Sequence, residues 1–197
     1  MNIEYEATFT NIDKEKIRYK LRQLKAKLIK PEFLQKRVVF NLPKHQKIEG
    51  SWLRVRDEGD KITLSLKIVD GHKIEDQKEI CIEVDDFSQA VGLLSAIGCQ
   101  EKAFQESKRE LWTLDNVEIT IDEWPFLEPF MEIEGKSEQL VRNVSKKLGL
   151  DYKNALFCAI DMLYHKKYRV SQDIINNHTP RIVFNSQNPF LKKRRKV

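Results

Sequence analysis

The sequence predicts an α+β fold: an eight-stranded antiparallel β-barrel, or tunnel, with a charged interior and helices covering its outside. Three observations carry this expectation. Stretches along most of the chain alternate polar and apolar residues with the period of two that a strand requires. They are joined mostly by hairpin-like turns and interrupted by helical segments at a few places, which suits antiparallel pairing rather than βαβ crossovers. The polar faces also carry acids and bases in a consistent pattern, while amphipathic helices are available to cover the apolar faces.

The elements follow in order. Ile3-Glu4-Tyr5-Glu6-Ala7-Thr8-Phe9 alternates strictly, so Glu4 and Glu6 share one strand face, about 6.5–7 Å apart. Ile17, Leu21, Leu24 and Leu28 predict a helix from Asn11 or Asp13 to Lys30, ended by Pro31. Leu34 to Leu42 reads as a strand closed by Pro43, and Lys44 to Gly50 as a polar loop holding His45. Ser51 to Glu58 and Lys61 to Val69 form a hairpin across Gly59-Asp60. A strand is predicted over 77–84. Asp86 with Gln89 resembles a capping box for a helix ending at Gly98, with Phe87, Ala90, Val91, Leu94 and Ile97 on its buried face. Strands follow over 103–114, 116–124 and 129–136. Ser137 caps a helix to Leu148 with Gly149 as its stop, and 152–166 is predicted as another, carrying Tyr152, Leu156, Ala159, Ile160 and Leu163. From Arg169 the chain is polar and proline-containing apart from Ile182-Val183-Phe184, and is expected to cap the domain and then fray.

A length of 197 residues suits one domain with a real core. No apolar run approaches the roughly 18–20 residues that span a bilayer, and the N-terminus opens on a strand rather than a secretory signal. Cys81, Cys99 and Cys158 are odd in number and lack CxxC spacing, which argues against a disulfide framework or zinc site and for a cytoplasmic location. The net charge of +5 comes from Lys192, Lys193, Arg194, Arg195 and Lys196. Without these five, 35 basic residues become 30 against 30 acidic ones, so the body is formally neutral. A nucleic-acid partner is therefore not expected except through the basic tail.

Read strand by strand, Trp52, Arg54, Arg56 and Glu58 share one face; so do Thr63, Ser65 and Lys67; so do Glu79 and Glu83; so do Glu118, Thr120 and Asp122. The strand with Lys108, Arg109 and Trp112 does not assign its faces by alternation. Phe130-Met131-Glu132-Ile133-Glu134 repeats the N-terminal pattern, giving a second glutamate pair. An ordinary sheet would turn these faces to water; an inverted barrel would turn them into a tunnel. Buried charges cost several kcal/mol each unless opposing charges, metal or a polyanion offset them. Arg54, Arg56, Lys67 and Arg109 could hold phosphate oxygens, and Glu4, Glu6, Asp122, Glu132 and Glu134 could hold Mg²⁺ or Mn²⁺. Phosphoryl or nucleotidyl transfer needs positioning and charge stabilisation, with no Ser/His/Asp triad or Walker-type loop, and the sequence shows neither.

Glu4-Tyr5-Glu6, Leu53-Arg54-Val55-Arg56-Asp57-Glu58, Leu64-Ser65-Leu66-Lys67, Lys108-Arg109-Glu110, Ile121-Asp122 and Phe130-Met131-Glu132-Ile133-Glu134-Gly135 follow one another along the chain. In that order they resemble the CYTH, or triphosphate tunnel metalloenzyme, superfamily, most closely its class IV adenylyl cyclase-like branch. The resemblance covers about residues 1–170, leaving 171–197 as a C-terminal extension with the basic tail. It implies a tunnel binding a triphosphate (ATP, thiamine triphosphate or tripolyphosphate) with Mg²⁺ or Mn²⁺, which is hydrolysed or, for ATP, cyclised to cyclic AMP. Glu4, Glu6, Arg54 and Lys67 would then be catalytic. Arg54, Arg56, Lys67, Arg109 and Thr8 would touch substrate, and a homodimer is compatible with the family. One departure stands out: the family's E-x-E-x-K signature has Thr8 in place of lysine. A hydroxyl can bond an oxyanion but cannot neutralise it, so a non-catalytic polyphosphate- or nucleotide-binding module is the alternative.

Overall fold

The computed structural model describes residues 1–191, so the basic run 192–196 lies outside the described residues. The chain order is β1 (Asn2–Ile3), β2 (Tyr5–Phe9), α1 (Lys14–Gln23), β3 (Lys27–Asn41), β4 (Ser51–Asp57), β5 (Ile62–Val69), β6 (Gln77–Val84), α2 (Phe87–Ala96), β7 (Gln100–Leu114), β8 (Val117–Glu123), β9 (Phe130–Gly135), α3 (Glu138–Lys147), α4 (Ile160–Tyr168), α5 (Gln172–Asn177) and β10 (Arg181–Ile182). Hydrogen bonding orders the sheet β1-β6-β5-β4-β3-β7-β8-β9-β2, all antiparallel, with β10 added parallel to β7. Because β1 and β2 are consecutive, the N-terminal segment joins both ends of this order. Glu4 donates its N–H to Gln77 O at 2.9 Å, after which β2 runs along β9. The sheet therefore nearly closes into the expected barrel, its main strands being β2 to β9.

Leu156 bridges the remaining seam. It exchanges two backbone hydrogen bonds of 2.9 Å with Thr8, and Gln77 Nε2 donates to Glu6 O at 2.8 Å. This explains why the helix predicted over 152–166 is not continuous. A short 3₁₀ turn at Tyr152–Asn154 leads into an extended stretch, and α4 begins only at Ile160. Leu156 spends its backbone groups on β2 and so cannot spend them on a helix.

The first helix also ends earlier than the apolar spacing predicts. Lys25 adopts φ 58°, and Ala26 N–H bonds back to Leu21 O, so the chain reverses after Gln23 and enters β3 at Lys27. Pro31 lies inside β3, where the pairing with β7 shifts register between Lys30 and Phe33; a residue lacking an N–H donor fits such an irregularity. Leu28, assigned to the helical stripe, is exposed, as is Ile97, assigned to the buried face of α2. Asp86 and Ser137 cap α2 and α3 as predicted, accepting from Gln89 N and Leu140 N. Within the described residues, the segment from Arg169 does not fray. Ile182 is buried beside β7, and Phe190, fully buried, packs on Tyr168 with ring centroids 5.3 Å apart.

The apolar strand faces point outward against the helices. Ala7, Ile119, Ile133 and Met131 pack with Ile17 and Leu21 of α1 and with Val141 and Val144 of α3. Val38, Phe40 and Val55 pack with Ala90 and Leu94 of α2. Trp124 and Phe130, by contrast, occupy inward-facing positions, where they meet Leu163, Tyr164 and Tyr168 of α4, Ile175 of α5, and Phe190. The barrel is thus inverted: burial of its apolar outside drives folding and leaves the polar faces inside. Among the described residues no helix is long and apolar enough to cross a membrane.

Candidate active site

Strand register fixes which side chains enter the barrel, because residues directly opposite in an antiparallel pair share a face. Glu6, Glu134 and Glu118 form one row across β2, β9 and β8; Thr8, Glu132 and Thr120 form the next. Arg109, Asp122 and Phe130 form another across β7, β8 and β9. On the far side Arg37 of β3 stands opposite Arg56 of β4, Arg54 opposite Ser65, and Lys67 opposite Glu79. The interior holds a cavity of about 780 Å³.

Its walls are polarised. Carboxylates come from β8, β9, the β1–β2 junction and β6, while cations come from β5, β4, β3 and β7. These are two contiguous arcs of the sheet. Ion pairs stitch them together, Lys67 to Glu4 at 2.8 Å and Arg54 to Glu79 at 3.0 Å, while Arg56 pairs within the basic arc with Glu58 at 2.5 Å. Arg109 grips both oxygens of Asp122, at 2.7 and 3.0 Å, and reaches Glu132 at 2.6 Å. Thr120 Oγ1 donates to Asp122 Oδ2 at 2.5 Å.

The pairing leaves two deficits. On the basic arc, Nε of Arg37, Arg54 and Arg56 is buried without a hydrogen-bond partner among the described residues. Arg37 donates to Gln35 Oε1 and Ser107 Oγ through Nη2 and lies over the Trp124 ring, 4.4 Å from its centroid. Burial, then Arg54, Arg56 and Arg109, depresses the Arg37 guanidinium, and burial with Arg54 lowers Arg56 to about 10. The three Nε groups lack acceptor atoms, and Arg37 has no carboxylate ion-pair partner among the described residues.

On the acidic arc the deficit has the opposite sign. Burial first, then Glu6, pushes Glu132 up to about 7, against the pull of Arg109. Glu4 is pushed up to about 8 by burial, with Lys67 opposing and Glu79 and Glu6 adding. Glu6 and Glu134 rise for the same reasons: burial outweighs Lys67, and neighbouring carboxylates add to it. Burial also works to raise Glu79, but Lys67, the Glu4 hydrogen bond and Arg54 hold it near about 2. Glu4 and Glu79 titrate as a coupled pair, Glu4 shifted upward and Glu79 downward. The clustered oxygens are hard donors with too much negative charge, which suits a divalent cation such as Mg²⁺ or Mn²⁺. Among the described residues, no three His, Cys, Asp or Glu side chains are already grouped as a metal cage.

Of the residues singled out in the sequence, Glu4, Glu6, Arg54, Arg56, Lys67, Arg109, Glu132 and Glu134 line the cavity. Asp122 is fully buried beneath Arg109, both of its oxygens engaged. Thr8 faces inward opposite Glu132 but is 3% exposed and does not reach the cavity surface. Arg37 was missed, although Gln35-Arg37-Val39-Asn41 alternates and could have revealed it. Lys102, Asp161, Gln172 and Asn176 also line the cavity. No periodicity announces them, because a bulged strand and two short helices supply them.

Known structures share this architecture. A Pyrococcus horikoshii protein is 24% identical, covering 81% of this chain and 98% of its own, with a TM-score of 0.68. A candidate adenylate cyclase of Vibrio parahaemolyticus is 11% identical, covering 83% of this chain and 98% of its own, with a TM-score of 0.72. A candidate adenylyl cyclase of Hippeastrum, described as having a dominant triphosphatase activity, is 13% identical, covering 85% and 96%, with a TM-score of 0.54. At such identities the likeness establishes the fold alone. No curated protein matches the chain. The CYTH domain model matches residues 2–156, most of the length, and with the nearly closed, charge-lined barrel it establishes that the chain belongs to the CYTH family.

Proposed function

We propose that this chain is a metal-dependent enzyme that binds a triphosphate-bearing small molecule in its tunnel and hydrolyses it, or cyclises it where the substrate is ATP. The observation that carries this reading is the pair of opposite deficits. Buried arginines with unpartnered Nε groups line one arc, and over-crowded carboxylates line the other. A metal-bound polyphosphate supplies what each arc lacks.

Arg37, Arg54 and Arg56 bind phosphate oxygens, with Nε and the terminal nitrogens offering forked donors. Lys67, held in its charged form by Glu6, Glu4 and Glu79 against burial, provides a point charge between the two arcs. Arg109 is anchored by Asp122, which fixes its fork toward Glu132. Glu4, Glu6, Glu132 and Glu134 would hold Mg²⁺ or Mn²⁺, which when bound would neutralise charge developing on the phosphates. The ordered charges act before the reaction begins, so little reorganisation remains at the transition state. Hydrolysis requires a positioned water; cyclisation requires attack by the ribose 3′-hydroxyl on the α-phosphate with pyrophosphate leaving.

Thr8 favours a second reading. The position that would carry a cation is neutral and buried, leaving Glu132 with Arg109 alone as its ion-pair partner among the described residues. Such a tunnel could bind a polyphosphate without turning it over. The deciding experiment incubates purified protein with ATP, thiamine triphosphate and tripolyphosphate under Mg²⁺, Mn²⁺ or chelator, and resolves cyclic AMP, pyrophosphate and phosphate. Metal-dependent product supports the enzyme; binding without product supports the module. Neither binding nor product overturns both.

A further inference from the structure

The tunnel continues past the arginines to an end lined by amides together with Lys102 and Asp161. Residues after 156 lie beyond the part of the chain that matches the CYTH domain, yet Cys158, Asp161, Gln172 and Asn176 line the same cavity. On β7, Gln105 stands opposite Arg37, and Lys102 lies three residues further along that strand. This end therefore adjoins the basic arc.

Its hydrogen bonding is organised around Asp161, which is buried at 8% exposure. Asp161 Oδ2 accepts from Gln172 Nε2 at 3.0 Å and from Asn176 Nδ2 at 2.6 Å, and its Oδ1 accepts from Met162 N at 2.9 Å. A carboxylate takes only donors, so both amides are locked with their NH₂ groups toward Asp161 and their carbonyl oxygens turned away. Gln172 Oε1 and Asn176 Oδ1 accept no hydrogen bond from the described residues. The Lys102 ammonium makes no ion pair or hydrogen bond there either; burial lowers it, with Asp161 as its opposing charge. Asp161 thus orients two amides whose acceptors face the cavity, Asn176 half-buried and Gln172 more exposed, a construction suited to recognising a donor-bearing group.

We infer that α4, α5 and Lys102 form the subsite for the organic group of an organic triphosphate. That group carries N–H and O–H donors for the two amide oxygens and an acceptor for Lys102, as a nucleoside does. This rests on the triphosphate reading and deepens it. Tripolyphosphate has no group to place at this end. Gln172 and Asn176 are neutral, so their truncation leaves the charge facing the phosphates unchanged. Their contribution is to specificity, since an organic ligand that fails to pair the amide oxygens forfeits its contacts here.

The test uses the double variant Gln172→Ala/Asn176→Ala and both single variants, with binding of ATP, thiamine triphosphate and tripolyphosphate measured by calorimetry in the presence of Mn²⁺. Thermal unfolding checks that each variant is folded, and the single variants carry the test if the double variant is not. The double variant should weaken ATP about tenfold, the single variants about threefold, while tripolyphosphate changes by less than twofold. Thiamine triphosphate separates the two sources of an organic group: a matching loss assigns the subsite to heterocyclic amines in general, and a loss for ATP alone assigns it to nucleosides. Equal losses for ATP and tripolyphosphate, or unchanged ATP binding, overturn the inference while leaving the triphosphate reading intact. A wild-type protein that binds neither ATP nor tripolyphosphate overturns both.

Discussion

Replacing Glu132 by glutamine should stabilise the metal-free protein and weaken its metal binding, two effects of opposite sign from one atom exchange. Glu132 lies inside the barrel, with burial and Glu6 pushing its carboxyl up to about 7 against a reference of 4.5. The folded state therefore holds a proton that the unfolded chain releases, between pH 4.5 and 7. Where the folded state binds more protons, stability falls as pH rises, so metal-free wild type should lose stability across that window. At about 1.4 kcal/mol per unit, the difference of 2.5 units (7 − 4.5) comes to about 3 kcal/mol once the pH exceeds 7. In a chain of this size that corresponds to roughly 6–12 °C in melting temperature. Glutamine keeps the shape and can still accept from Arg109, which also retains its two bonds to Asp122.

The assay is thermal unfolding from pH 5 to 8, with chelator or with Mn²⁺. With chelator, the two proteins should match at pH 5, and the variant should melt several degrees higher at pH 8. With Mn²⁺ the order should narrow or reverse, because a ligand at 100 times its Kd stabilises by about 2.7 kcal/mol and the variant binds it less well. A variant that melts below wild type at pH 8 with chelator, or keeps wild type's full response to Mn²⁺, would refute the reasoning.

Two further perturbations probe other links. Thr8→Lys puts a cation opposite Glu132, where one unit-charge contact at about 4 Å gives roughly 4 kcal/mol at an effective dielectric near 20, before desolvation losses. We expect a gain of about tenfold in triphosphate affinity or turnover and none for Thr8→Met; equal behaviour of the two would place Thr8 outside the phosphate site. Phe190→Ala removes a fully buried ring packed on Tyr164 and Tyr168 and should cost about 3–5 kcal/mol in urea unfolding. A loss below about 1 kcal/mol would mean that the segment after α5 does not fold cooperatively with the barrel.

The barrel was legible because alternation is a local signal and most strands display it, from Glu4-Glu6 to Glu132-Glu134. Alternation alone does not say which face is inside. That came from chemistry: acids and bases distributed over many strands make little sense as a solvated surface and good sense as a lining. What escaped the sequence was set by tertiary competition for backbone groups. Leu156 looks helical by spacing, yet the open edge of β2 offers its N–H and C=O better-placed partners, so the predicted helix breaks there. Pro31 looks like a helix stop, but the helix has already ended at a left-handed Lys25, and the proline falls in a bulge.

The same competition explains why half of the tunnel's lining is easy to read and half is not. The charged side chains of the tunnel wall sit on regular strands, because opposing walls of fixed charge need a rigid frame and a period of two supplies it. Gln172 and Asn176 need only to be held by one carboxylate, which a short helix can do from any register. Their placement therefore leaves no period in the sequence. It is found only by following the acceptors that Asp161 leaves open. On the triphosphate reading, a tunnel whose charged walls are written into the strands and whose amide-bearing end is added by the chain beyond them would keep its phosphate chemistry while changing what the phosphates are attached to.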